Sequence, residues 1–428
     1  MSTKIEKDDD KTGAVTAKAD TAIDLQRRWL LGGLGVLSTA LTACYTEQRP
    51  SKDVASKDIG NNGRRLGDNQ NVDCGCMPPG ATPPAGTVPG TPVGTTPGTP
   101  TTGALPSNPT PLATAFTSVG PDAVTLTVSD MMTTTTLSDG RVINAWSFSA
   151  GGSGFNSDRL SPGPVVECLE NTPMNLTLST MMAHTIHLHG LDVDTINDGV
   201  PSTSFYVVGG MGGVMPAPMI PPAIAGYPSQ ASPHTYMFTP RFAGTYMYHC
   251  HVDTVLHMEM GMWGTIIVRP ADGNRNTVWT GGPQFDKEYI WHLHTYDSSW
   301  HTQTQSSPVT ARYNPDYFMI NGFDGGNLLL DVATAVQATA GQRILIRLVN
   351  PGYLPARVSL GGLMFQVVSS DGRPLLATLN TSQLLIGPGE RYDIIFNMPA
   401  IQTQASVNYL HATGKTVLGT AITTITPQ

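Results

Sequence analysis

The chain has 428 residues, a length that suits two or three domains. Only 13% of its residues are charged, whereas it contains 45 glycines and 34 prolines, a composition that favours β-sandwiches joined by many turns together with some disorder. The formal net charge of −8 and the lack of a basic cluster in the body of the chain argue against nucleic-acid binding.

Residues 1–44 have the composition of an export signal. A polar leader is followed by Arg27 and Arg28 and then by an apolar run of about fifteen residues, which is shorter than the ~20 residues of a membrane-spanning helix. The arginine pair resembles a twin-arginine signal, and Leu-Thr-Ala-Cys, which ends at Cys44, resembles a lipobox whose cysteine is lipidated. These features predict a periplasmic protein that is tethered to a membrane through a lipid on Cys44. A plain membrane anchor with an incidental cysteine is the alternative.

Residues 45–112 are rich in Gly, Pro, Thr and Ser and have little apolar surface to bury. This composition predicts a disordered, extended tether between the signal and the folded part of the chain. Cys74 and Cys76 lie within it. They could bind a soft metal, form disulfides with a partner or be an inert pair, and these choices stay open.

Short β-rich runs occupy residues 113–271, separated by Gly, Pro, Asn and Asp. About eight predicted strands with such turns between them indicate an all-β Greek-key sandwich or barrel. One strand carries Cys168, which we expect to be a buried structural thiol. A later insertion carries Met211, Met215 and Met219, whose thioethers either collect Cu(I) or pack the loop onto the domain.

Two stretches of this domain, HTIHLHG and YHCHVDTVLHMEMGM, contain imidazole, thiolate and thioether groups at short spacing. Side chains alternate between the faces of a strand, so Cys250 points to one face while the histidines on either side of it point to the other. If the two stretches lie side by side, His184 joins Cys250 on the first face, with His257 and Met262 from the following loop. Two histidines, a cysteine and a weak methionine donor are the ligand set of a blue-copper site.

The opposite face gathers a second set of histidines. His187 and His189 share a face of the first stretch, and His249 and His251 share the matching face of the second. The sequence therefore predicts two metal sites that are joined by the short covalent path through Cys250. Chance histidines on core strands are the alternative interpretation.

These motifs resemble those of the multicopper oxidase family: HTIHLHG is similar to its HxxHxHG motif, and HCH followed by His and Gly-Met is similar to its blue-copper loop. The resemblance implies two cupredoxin-like Greek-key β-sandwich domains that bind copper. The ligands that it implies are His184, Cys250, His257 and Met262 for type 1 copper, His187 for type 2 copper, and His189, His249 and His251 for type 3 copper. Asp198 matches an aspartate that helps deliver protons to oxygen in the family, although a turn-forming Asp before Gly is the simpler interpretation.

The spacing Cys-x₆-His-x₄-Met differs from that of three-domain laccases, which have two fewer residues between Cys and His. The longer loop is more similar to that of two-domain oxidases with type 1 copper in their first domain. Those relatives form trimers whose copper clusters lie between subunits. The resemblance therefore implies a homotrimer.

A second cupredoxin-like domain is predicted for residues 284–426, where strand-like runs again alternate with turns. In the family, a complete trinuclear cluster takes eight histidines, four from each of two domains. The expected ligand positions of this second domain instead hold Ser359 and Gly361, and a later strand has His411 alone. We therefore expect a second domain with degenerate ligand positions.

Three functional hypotheses follow from these residues. The favoured one is a laccase-like multicopper oxidase that takes single electrons from a phenolic or metal-ion donor at type 1 copper and passes them through Cys250 to a histidine-bound copper site and dioxygen. The second is a non-enzymatic blue-copper protein that carries electrons or binds copper, which the missing histidines of the second domain favour. The third is a protein similar to copper nitrite reductases, with type 2 copper held by His189, His249 and a histidine of a neighbouring subunit.

Overall fold

The computed structural model describes residues 118–119, 124–129, 133–150, 161–209, 221–302 and 312–428. The predicted export signal with Cys44, the linker with Cys74 and Cys76, and the segment with Met211, Met215 and Met219 lie outside these ranges and stay predictions. The described residues form β-strands with few and short helices, which confirms the predicted all-β class with β-sandwich domains.

The first β-sandwich is built from strands that precede residue 270. The strands of this part are β1 (Ser118–Val119), β2 (Val124–Ser129), β3 (Thr134–Thr136), β4 (Val142–Asn144), β5 (Ser147–Ala150), β6 (Val165–Leu169), β7 (Met174–Ser179), β8 (His187–His189), β9 (Tyr206–Val208), β10 (Ser229–Ala231), β11 (His234–Phe238), β12 (Gly244–His249) and β13 (Trp263–Arg269). One sheet has the order β1-β6-β13-β12-β8 and the other the order β11-β7-β2-β5, while β3 with β4 and β9 with β10 form small separate pairs.

The core of this sandwich follows from the alternation of apolar and polar residues. Along β7, Met174, Leu176 and Leu178 are buried. They share one hydrophobic core with Ile266 and Val268 of β13 in the facing sheet. The apolar face of β7 therefore packs against the facing sheet, and the core lies between the two sheets.

The second β-sandwich contains the remaining strands. They are β14 (Lys287–Tyr296), β15 (Tyr317–Ile320), β16 (Val336–Ala338), β17 (Arg343–Val349), β18 (Ala356–Ser359), β19 (Phe365–Ser370), β20 (Arg373–Thr381), β21 (Gln383–Ile386), β22 (Arg391–Asn397), β23 (Thr403–Leu410) and β24 (Val417–Pro427). Its sheets have the orders β15-β14-β17-β22-β19-β20 and β16-β24-β23-β18-β21.

β17 is buried on both faces, which shows where the two sandwiches meet. Ile346 and Leu348 point into the core of the second sandwich. Val349, on the opposite face, packs against Met247 and Trp263 of the first sandwich. A strand that is apolar on both faces is expected where each face of a sheet is covered.

The helices in the described ranges are short. They are Thr254–Glu259, Gly325–Leu330 and single 3₁₀ turns at Thr195–Asn197, Pro222–Ile224 and Trp300–Thr302. Within these ranges, no helix has the length and apolar character that crossing a membrane would require.

A buried network of charges joins the two sandwiches. Arg269 of β13 contacts Glu167 of β6 at 3.1 Å and Glu288 of β14 at 2.8 Å. Glu288 also accepts a hydrogen bond from Nε of Arg347 on β17, at 2.5 Å. Burial by itself would raise the pKa of Glu288, but Arg269 and Arg347 lower it to about 2. The carboxylate is therefore charged and shared between the two sandwiches.

Glu288→Ala should lower the free energy of unfolding by about 3–5 kcal/mol at pH 7, because it leaves the buried guanidinium groups of Arg269 and Arg347 without this partner. The folded-state pKa of Glu288, about 2, lies below its ordinary value of 4.5, so the contribution is fully present above pH 4.5 and is lost as the pH falls towards 2. Denaturant unfolding across this pH range measures both effects.

The control for this substitution is Arg141→Ala, which breaks an exposed pair with Asp316 at 3.1 Å and should cost about 1 kcal/mol or less. Equal and small losses of unfolding free energy in the two variants would contradict a role for Glu288 in holding the two sandwiches together.

Candidate metal centre

The histidine-rich motifs lie on neighbouring strands of the first sandwich. β8 and β12 pair in antiparallel fashion, with His187 directly opposite His249. His184 lies before β8 and pairs instead with Val207, to which its backbone N–H donates at 2.9 Å. This separate pairing lets the His184 side chain face Cys250 while His187 faces His249.

The first donor set is formed by Cys250, His184 and His257, which are all fully buried. The Cys250 sulfur lies 3.5 Å from Nδ1 of His184 and 3.1 Å from Nδ1 of His257. Burial by itself would raise the pKa of the Cys250 thiol, but His257 and His184 hold it well below its usual range. The three donor atoms lie within 4.8 Å of one another, so one metal ion could contact all of them.

Met262 ends the loop that begins at Cys250. The Cys250 N–H donates to the Met262 carbonyl at 3.1 Å, and the Met262 N–H donates to the His257 carbonyl at 3.0 Å. Met262 is fully buried in the same hydrophobic core as Cys250. These two hydrogen bonds close the loop and bring the three predicted ligands of the segment together.

The second donor set lies on the other side of β12 and contains His187, His189, His249 and His251. The ring centroids of His187 are 5.6 Å from His189, 5.0 Å from His249 and 5.4 Å from His251. Donor atoms of His187, His189 and His249 lie within 4.8 Å of one another. His249 is buried, whereas the other three are half-buried, so this set is reachable from solvent.

Hydrogen bonds and burial prepare these imidazoles to bind metal. His249 donates from Nδ1 to the Cys250 carbonyl at 2.9 Å, and His187 donates from Nδ1 to the Asp198 carbonyl at 2.6 Å, so Nε2 is the unprotonated nitrogen of each neutral ring. Nε2 of His249 lies 3.3 Å from Nδ1 of His189. Burial lowers the pKa of His189 to about 3, helped by the nearby Arg391, and burial holds the pKa of His249 well below its usual range. These rings are therefore neutral near pH 7, the form that coordinates metal.

Asp198 lies against this second set. Besides its carbonyl, its carboxylate oxygen Oδ1 is 3.3 Å from Nδ1 of His187. The residue follows a 3₁₀ turn, Thr195–Asn197, that Asp194 caps by accepting the Asn197 N–H at 3.0 Å. The turn thus presents the carboxylate beside the histidines.

The second sandwich contributes no group of this kind among the residues that the structure describes, which include all eleven histidines. Gly361 has a φ of +68°, and a side chain there would collide with Thr403. His411 hydrogen-bonds Thr413 at 3.2 Å near the surface. His292 is a satisfied core residue, since its ring contacts Asn321 at 2.9 Å and Thr265 at 2.7 Å.

Two neighbours of the Cys250 set were not anticipated from the sequence. Trp146 packs edge-on against the ring of His257, with centroids 5.3 Å apart. Glu259 lies buried at the end of the helix Thr254–Glu259, beside His301 of the second sandwich. The sequence feature that could have indicated a role for Glu259 is that it is the one acidic residue in the run HMEMGMW.

Comparison with protein families assigns both sandwiches to one family. One multicopper oxidase family model matches residues 145–272 and another matches residues 290–426, and the two together cover more than half of the chain. The chain therefore belongs to the multicopper oxidase family. It is a copper-dependent oxidoreductase, and the family relationship supports an oxidase.

The fold is also similar to that of solved multicopper oxidases. The blue copper oxidase from Nitrosomonas europaea is 25% identical with a TM-score of 0.54, over 71% of this chain and 85% of that chain. A multi-copper oxidase from Pseudomonas thermotolerans is 18% identical with a TM-score of 0.51, over 73% of this chain and 65% of that chain. A search of curated proteins returned no significant match.

Asp198→Ala should weaken copper binding at the four-histidine set about tenfold, because residues that orient a histidine ligand contribute about 10–100-fold to affinity and the carbonyl bond to His187 remains. Competition with a copper chelator measures this affinity. Asp194→Ala is the matched control, since it alters the same turn without touching His187. Equal losses of copper affinity in both variants would show that the turn, and not the Asp198 carboxylate, determines the affinity.

Proposed function

We propose that the protein is a laccase-like oxidase that takes single electrons from a phenolic or metal-ion donor at a type 1 copper site and delivers them to dioxygen at a histidine-bound copper site. The observation that carries this proposal is the position of Cys250 between two donor sets. Its sulfur faces His184 and His257, while the residues on either side of it in the chain, His249 and His251, belong to the four-histidine set.

The first donor set fits type 1 copper. One thiolate and two imidazole nitrogens converge in a fully buried place, and the loop that holds them ends in a buried methionine. This is the donor chemistry that copper takes in blue-copper sites. Copper held there would supply reversible one-electron transfer. The residues of the chain exclude water from the site and connect it to the second set through the peptide groups of Cys250.

The second donor set fits a copper site that is open to a small molecule. His187, His189 and His249 offer three neutral imidazole nitrogens, and the half-buried His187 and His189 leave a route from solvent. In this proposal His187 serves as the type 2 ligand and the other three histidines as type 3 ligands. The Asp198 carboxylate, beside His187, would pass protons towards dioxygen.

A complete three-copper cluster does not fit the described residues of a single chain, because four histidines meet where the family uses eight. Ser359 and Gly361 offer no imidazole, and the Gly361 position has no room for one without movement of Thr403. We therefore propose that fewer coppers are bound here, or that the predicted homotrimer supplies substitute ligands between chains in place of the missing histidines. The copper content per chain distinguishes these two cases.

The location of the protein is a further part of the proposal. The arginine pair at Arg27 and Arg28 and the lipobox-like sequence at Cys44 favour export to the periplasm and a lipid tether. Twin-arginine export carries folded proteins, which suits a chain that acquires copper before it leaves the cytoplasm.

The first test is copper content, optical and electron-spin spectra, and oxygen uptake of the purified full chain, with a phenol and with Cu(I) or Fe(II) as donors. We expect an intense thiolate-to-copper band, more than one copper per chain and steady oxygen uptake. Cys250→Ser should lose the band and reduce oxygen uptake to background, while Cys168→Ser, at the other buried cysteine of the described residues, should keep both. Blue copper at one ion per chain without oxygen uptake would identify an electron carrier instead, and nitrite consumption would favour the reductase hypothesis.

Met262→Leu should keep the blue band and raise the reduction potential of the site, because a weak axial donor stabilises the oxidised metal. Redox titration of the band measures the potential. Met260→Leu is the matched control, since Met260 is equally buried in the same loop and is not a predicted ligand. A fall in potential for Met262→Leu would contradict its assignment as the axial ligand.

A further inference from the structure

The loop that carries the predicted type 1 ligands contains a helix whose far side faces the second sandwich. Six residues separate Cys250 from His257, and the helix Thr254–Glu259 forms within the loop. His257 and Glu259 are two residues apart, which corresponds to ~200° around a helix axis. Their side chains therefore leave the helix in nearly opposite directions: His257 reaches Cys250, and Glu259 reaches the second sandwich.

Glu259 is buried, with 3% of its surface exposed, and its partners come from the connection between β14 and β15. The Asp297 N–H donates to Oε1 of Glu259 at 2.6 Å. Nε2 of His301 lies 3.6 Å from the same oxygen. A buried carboxyl group is tolerated only with partners of this kind, since an unsatisfied one costs several kcal/mol.

The beginning of the helix is held from the same side. The Tyr353 hydroxyl donates to the carbonyls of Thr254 and Val255. Met258 packs in a cluster with Val349, and Tyr353 lies against that cluster. Both ends of the ligand-bearing helix are thus fastened to residues of the second sandwich.

We propose that Glu259 is a positioning residue through which the second sandwich holds the type 1 ligand loop, so that the sandwich with degenerate ligand positions supports the copper geometry of the first. The inference rests on the proposed type 1 site at Cys250. Loss of the Glu259 contacts leaves the Asp297 N–H buried without its acceptor and releases the C-terminal end of the helix. His257 and Met262, on either side of Glu259, then lose their common support.

The test is pulse alkylation of the copper-free full chain, with the modification of each cysteine followed by peptide mass spectrometry. Cys250 reports opening of the loop, and Cys168, a second buried free cysteine in the first sandwich, reports opening of the whole domain. We expect Glu259→Leu to label Cys250 about tenfold faster than the unaltered chain, with Cys168 unchanged, because a lost buried hydrogen bond to a charged or carboxyl group raises local opening by about this factor. Glu259→Gln keeps an acceptor oxygen for Asp297 and should stay within about twofold of the unaltered chain.

Two further variants keep the test decisive. Tyr353→Phe removes only the hydroxyl that holds the start of the helix and should accelerate labelling of Cys250 in the same direction by a smaller factor. Glu288→Gln is the matched control, because it alters another buried glutamate between the sandwiches that does not contact the loop, and it should not accelerate Cys250 selectively. In the copper-loaded protein, Glu259→Leu should shift and broaden the blue band, whereas Glu259→Gln should leave it in place.

Equal labelling of Cys250 in Glu259→Leu and the unaltered chain, with unchanged spectra, would overturn the positioning role. Parallel acceleration of Cys250 and Cys168 would also overturn it, since the effect would then be a general loss of stability. Absence of a blue band in the unaltered protein would refute the proposed type 1 site, a result that is separate from the alkylation rates of the copper-free chain.

Discussion

The first sandwich depends on one constraint: neighbouring residues at one strand end must belong to two donor sets with different surroundings. The thiolate of Cys250 requires a dry place, and it lies fully buried between His184 and His257. The histidine set on the other side of β12 is partly open to solvent, since His187, His189 and His251 are half-buried and only His249 is buried. Alternation of side chains along a strand separates the two sets without any extra element.

The same burial that separates the sites also prepares their donors. Low pKa values keep His189 and His249 neutral, while two imidazoles favour the thiolate form of Cys250. His189 and His249 are therefore held in the neutral form that coordinates metal, and Cys250 in the form that does so. Hydrogen bonds to the carbonyl groups of Cys250 and Asp198 orient the rings of His249 and His187, whereas burial keeps the rings neutral.

The second sandwich keeps the fold without a comparable donor set among its described residues, because a fold does not by itself specify a site. Its ligand positions hold Ser359 and Gly361, yet its core is continuous and its β17 packs on the first sandwich. The buried charges around Glu288 tie the two sandwiches together. Residues of the second sandwich also contact Glu259 in the Cys250–Met262 loop, and in our proposal this contact supports the metal-binding geometry without supplying a ligand.

Much of this organisation could be predicted from the sequence because it depends on local patterns. The all-β class follows from short apolar runs and turn residues. The two donor sets on opposite faces follow from the HxH and HCH spacing, because side chains alternate between the faces of a strand. The absence of histidine at Ser359 and Gly361 was equally visible. The chain alone thus determined which residue types are available and which of them share a strand face.

Only the tertiary structure decided how these residues meet. His184 faces Cys250 because its backbone pairs with Val207 outside β8, a contact between distant parts of the chain. The Cys250–Met262 loop contains the helix Thr254–Glu259, and Glu259 is buried because residues more than thirty positions later, such as Asp297, contact it. Strand period and ligand spacing are short-range properties, whereas the partners of a buried carboxyl group depend on how two sandwiches pack, which no local pattern encodes.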